Sequence, residues 1–134
     1  MRKNKKSQTS IEFLILIGTV MFFFVLFFMA IQENMSSKIR ERQNIMFKEV
    51  ALSVQDEINL ALKSSDGYER NFNVPQTIAG KSYEINLTEE TVYIRSDDGK
   101  ISTAFSIPSV SGDVSKGDNI IRKQGGIIYL NQTY

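Results

Sequence analysis

The chain changes its hydrophobic rhythm twice, and the changes divide it into three regions. From Phe13 to Ile31 nineteen consecutive residues carry no charge, and only Gly18 and Thr19 soften the run. A helix of that length spans roughly 28 Å, against a bilayer hydrocarbon core about 30 Å thick. From Gln32 onward the pattern becomes amphipathic. Apolar residues recur at Met35, Ile39, Met46, Val50, Val54, Ile58 and Ala61 or Leu62, steps that mark one helical face. No Pro or Gly interrupts residues 19 to 66, and Asp66-Gly67 supplies a stop. One helix is expected from about Ser10 to Ser64, its second half laying the Met46–Leu62 face on whatever follows.

Past Gly67 the period falls to two. Phe72 and Val74, then Tyr83, Ile85 and Leu87, alternate with polar residues. Thr91 to Ser96 and Lys100 to Ile107 flank the turn Asp97-Asp98-Gly99 and read as a hairpin. Residues 108 to 119 read as a loop. Ile120-Ile121 opens a strand, Gly125-Gly126 turns it, and Ile127 to Leu130 closes the chain. Five or six antiparallel strands are expected between Glu69 and Leu130, as one half-buried sheet. The expected fold class is α+β: a long transmembrane and then amphipathic helix packed on a small antiparallel β head. The regions are 1–7 (leader), 8–32 (apolar helix), 33–66 (amphipathic continuation) and 67–134 (head).

Charge adds a direction. Arg2, Lys3, Lys5 and Lys6 precede the apolar run, and short basic flanks favour the cytoplasmic side. The head is then expected outside, on a single-pass membrane protein. A secretory signal peptide would have a shorter apolar core and a small-residue cleavage site after it; the Gln32-Glu33-Asn34 that follows here offers none. The net charge of +1 gives no pull toward nucleic acid. There is no Cys and no His, which removes disulfides, thiolate nucleophiles and imidazole bases. No catalytic constellation is recognisable, so no enzymatic role, cofactor or metal is expected. Asp97-Asp98-Gly99 and Gly112-Asp113 with Gly117-Asp118 lack the spaced oxygen ligands of a calcium loop and read as turns. Three N-x-S/T sequons, at Asn34, Asn86 and Asn131, are candidate glycan acceptors on an exported domain.

The junction between leader and apolar run carries a more specific signal. Gln8, Ser10, Glu12 and Leu16 resemble the Q-x-S-x-E-x-x-x-L signature of archaeal class III signal peptides, found in type IV pilin-like proteins. The likeness covers about the first thirty residues. It implies that a prepilin peptidase cuts between Ser7 and Gln8, where the family more often has Gly or Ala in place of Ser7. The apolar helix is then retained, and Glu12 becomes the fifth residue of the mature chain. The resemblance further implies that Glu12 pairs with the new N-terminal amine, of its own or a neighbouring subunit, and that copies polymerise through the apolar helix into an adhesive filament. Without the signature, the same layout describes a membrane-anchored surface protein that presents a small β binding domain. A plain anchor does not need Glu12, and that residue separates the two readings.

Overall fold

The structure is a computed structural model that describes residues 5–132. Helix α1 spans Lys5–Lys63 and thus begins in the leader, ahead of the expected start near Ser10. Seven strands follow: β1 Glu69–Val74, β2 Tyr83–Thr88, β3 Thr91–Ser96, β4 Ser102–Ser106, β5 Ser111–Gly112, β6 Gly117–Gln124 and β7 Ile127–Leu130. The chain divides into two compact units between Arg40 and Glu41. The described part of the first, from Lys5, is helix, and from Gln8 to Arg40 every residue is exposed. The second holds residues from Glu41 onward, including the last six turns of α1.

In the second unit the helix lies on the head and buries one face. Phe47, Ala51, Val54, Ile58 and Ala61 are almost fully buried and join an apolar cluster with strand residues that include Val74, Tyr83, Ile85, Val92, Ile94, Ile121, Ile128 and Leu130. Each large side chain taken out of water contributes about 1.5–3 kcal/mol. The buried stripe differs from the one the sequence suggests. Met46 and Leu62 are 45% and 46% exposed, while Phe47 and Ala51 are buried. The reason is angular drift. Steps of four residues, as in 46, 50, 54 and 58, advance by about 40° each at 3.6 residues per turn. Alternating steps of four and three, as in 47, 51, 54, 58 and 61, hold one narrow arc. Val50 lies at the edge of the stripe and is half-buried.

The head contains two sheets where one was expected. The first has the order β1-β6-β7-β5 and the second β2-β3-β4. All pairings are antiparallel except β5 with β7, which is parallel. Strand β5 and the first residues of β6 lie in the stretch read as a loop. Gly112 explains why β5 escapes a periodicity test. Its φ is +103°, and a Cβ there would sit 2.0 Å from the Leu130 carbonyl oxygen, so the close parallel contact requires glycine. The tight turn between β6 and β7 is Gly125-Gly126, with φ of +58° and +78°. Two left-handed residues are what a two-residue hairpin turn of the favoured hand needs.

The end of α1 is fastened to that hairpin. The Lys123 ammonium donates to the carbonyls of Leu62 (2.6 Å) and Ser64 (2.7 Å). A cation at the carbonyl end of a helix satisfies orphan acceptors and complements the helix dipole. The Asp66 carboxylate accepts from the Gly126 N–H, and Gly67 N–H donates to the Lys123 carbonyl. Gln55 links the helix to the second sheet by donating to the Ser106 carbonyl at 2.6 Å.

Candidate functional site

The signature residues occupy the first turns of α1. At about 100° per residue, Gln8, Glu12 and Leu16 fall within one arc, and Ile15 and Thr19 fall in the same arc. Ser10 points to the opposite side. Glu12, Ile15, Leu16, Thr19 and Val20 line a shallow groove along the helix. The Thr19 hydroxyl turns inward to the Ile15 carbonyl at 2.8 Å and so presents no free donor to this groove. Glu12 is thus a lone carboxylate on an otherwise apolar surface. Among the residues whose side chains the structure describes, 8–132, no cation stands at ion-pair distance from it. Ser7, on the other side of the expected cut, is helical. Arg2 and Lys3 lie outside the described residues.

Around and beyond this groove the helix is apolar on every side. Phe13, Phe22, Phe23, Phe24, Phe27 and Phe28 are all more than half exposed. Phe24 stacks on Phe28 and Phe22 meets Phe23 edge to face. An apolar surface of this extent is foreign to a water-exposed helix. Within the described residues one helix is long and apolar enough to cross a membrane, and it is consistent with a membrane anchor.

The three sequons sit in different chemical settings. Asn86 is exposed on edge strand β2, two residues from its end. Asn131, though exposed, has its side chain fully engaged. Its amide nitrogen donates to the Asp113 carbonyl (3.0 Å) and to Asn119 Oδ1 (2.7 Å), and its Oδ1 accepts from the Ile120 N–H (2.9 Å). Its φ of +53° is the left-handed conformation that Asn tolerates. Asn34, on the exposed helix, donates to the Ala30 carbonyl at 3.1 Å. Only Asn86 therefore offers an amide that the fold does not already use.

The acidic turns act as hydrogen-bond acceptors for the backbone around them. Asp98 takes the Lys81 ammonium (2.8 Å), the Ser96 hydroxyl (2.6 Å) and the Lys100 N–H (3.1 Å). Those bonds, the Lys81 one foremost, hold its carboxyl well below the usual carboxylate range. Asp113 accepts from the N–H groups of Leu87 and Val114, and Asp118 from the Asn73 amide. Among the described residues no cluster of acids could hold a metal ion.

Sequence reasoning missed Asn119. It is fully buried, and its amide bonds the carbonyls of Ser115 (2.7 Å) and Gly117 (2.9 Å) while its Oδ1 accepts from the Ser115 N–H (2.8 Å) and from Asn131. This polar knot closes the loop before β6 and pins the end of β7. The available signal was alternation: positions 119, 121 and 123 share the inward face once β6 is extended back to Gly117. Tyr83 was read as a strand residue without its partners. Its ring is buried against Phe47, with the Lys116 ammonium 5.0 Å from the ring centre. Its hydroxyl bonds the Pro75 carbonyl, and burial pushes its ionisation upward.

Compared with known proteins, residues 10–126 match a family of unknown function (DUF7266), a span that runs from the signature to the β6–β7 turn. No curated protein and no solved structure matches the chain.

Proposed function

The chain belongs to the DUF7266 family, and we propose that it is a pilin-like structural subunit of an archaeal type IV pilus-like surface filament. A prepilin peptidase trims it before Gln8. Copies of it, or related pilins, polymerise through the apolar helix, and the filament serves adhesion or surface attachment. The observation that carries this reading is the conjunction at the start of α1. A complete Q-x-S-x-E-x-x-x-L pattern stands directly between a basic leader and a helix that is apolar all round and exposed on all sides. The leader stays in the cytoplasm and the head is displayed outside.

Physical chemistry accounts for each part. The apolar helix is stable in lipid before assembly and among identical helices afterwards, because both surroundings exclude water. A repeated head-to-tail contact that does not close generates a helical filament. Glu12 is costly in either place, up to a few kcal/mol, unless it meets a positive partner. The amine released at Gln8 is such a partner.

The test is a Glu12→Ala variant produced in cells that make filaments. The variant should insert and be trimmed as the parent is. Electron microscopy with antibody against the head should show labelled filaments for the parent and few for the variant. Normal filaments from the variant would remove the pairing role. Absence of the parent protein from any filament would remove the structural reading.

A further inference from the structure

We propose that Glu12, besides pairing in assembly, protects the mature N-terminus from chemical loss: it holds the Gln8 amine as an ammonium and so prevents that residue from cyclising. This rests on the processing reading above. It adds a role for Glu12 that begins before any filament forms.

The chemistry follows from the identity of Gln8. An N-terminal glutamine carries its own electrophile, the side-chain amide carbon Cδ, within reach of its α-nitrogen. The free-base nitrogen attacks Cδ, a new C–N bond closes a five-membered lactam, the bond from Cδ to Nε2 breaks, and ammonia leaves. No co-reactant is consumed. The product is neutral at its end and lighter by one ammonia. An ammonium cannot attack, because its lone pair is occupied by the proton.

Geometry places Glu12 to control that proton. Residues 8 and 12 are one turn apart on the same face, separated by about 6 Å along the axis. Side chains on a helix lean toward its N-terminus, a direction that puts the first turn within reach of a carboxylate at position 12. The Gln8 side chain is exposed and free to fold onto its own nitrogen. In the stretch from Gln8 to Gln32, Glu12 is the sole charged side chain. No other charged side chain on that stretch competes for the amine, and Glu12 lies beside an apolar groove lined by Ile15, Leu16 and Val20.

The size of the effect follows from ordinary titration. An unperturbed α-amine titrates near 7.7–8.0, so roughly a third is free base near pH 7.5. A carboxylate within a few ångströms lifts that titration by about one to two pH units. The reactive fraction then falls about seven- to seventy-fold, and the rate of cyclisation with it.

The experiment uses the full chain, co-produced with a prepilin peptidase and taken from membranes before assembly. The N-terminal peptide is followed by mass spectrometry over time at neutral pH. Parent protein should begin at uncyclised Gln8. Glu12→Gln, which keeps shape but not charge, should cyclise about seven- to seventy-fold faster, and Glu12→Asp should fall between the two. Raising the pH should accelerate the parent until it meets the Glu12→Gln rate, a convergence that a steric role for Glu12 would not produce. Equal rates for parent and Glu12→Gln, or a parent already cyclised when isolated, would overturn the protective role and leave the processing reading intact. A chain that begins at Met1 would overturn both.

Discussion

At the residue scale the informative side chains are amides and carboxylates. Asn119 has no solvent contact and uses both its donors and its acceptor. Replacing it with Leu leaves the Ser115 and Gly117 backbone groups without their side-chain partner and takes one of its two acceptors from the Asn131 amide, at about 1–3 kcal/mol. Urea unfolding of the detergent-solubilised chain, followed on the head, should show that loss. Asn131→Ala should be destabilising for the same reason. The engaged state of Asn131 also ranks the sequons. A glycan needs a free amide nitrogen, so glycopeptide analysis of native material should find mass on Asn86 and none on Asn131. Sequence inspection treats these two sites alike, because a sequon says nothing of who holds the amide. Asn119 was hidden for a related reason: in sequence, Gly117-Asp118-Asn119 has the composition of a turn, and only the pairing of β1 with β6 draws it into a strand.

At the element scale the helix of the second unit decides how firmly the head is built. Its buried stripe runs through Phe47, Ala51, Val54, Ile58 and Ala61. Phe47→Ala should cost about 3–5 kcal/mol by emptying a packed site against Tyr83. Met46→Ala, one position away, should change stability by no more than about 0.5 kcal/mol. Thermal unfolding of the two variants side by side checks the register. The reverse order would place the stripe where the simple four-residue count puts it. Strands β1 to β4 and β7, and the turns after β3 and β6, were legible, since alternation and turn residues mark them; the Glu89-Glu90 turn between β2 and β3 carries no such residues. Strand β5 was not. It is two residues long, it contains a glycine demanded by a backbone contact with Leu130, and its partner is the last strand of the chain. Nothing local records such a pairing. The same long-range closure separates two sheets from the single one that strand count suggests.

At the scale of the whole molecule the α+β plan was readable because each region has its own period: none in the apolar run, 3.6 in the amphipathic helix, two in the head. The candidate site was readable for another reason. It is linear, and four residues at fixed spacing on one helix need no tertiary structure to meet. The structure adds that Gln8, Glu12 and Leu16 share a face and that Ser10 does not. In the proposed reading, assembly and the pairing of Glu12 both depend on one bond, between Ser7 and Gln8. The most direct measurement is therefore the N-terminus of the native protein, by mass spectrometry of membrane and surface fractions. The account expects a chain that starts at Gln8 and retains the apolar helix, in both fractions. A chain that starts at Met1 in both, or near Gln32, would contradict it: the first leaves an uncut anchor that presents a β domain, and the second an ordinary secreted head.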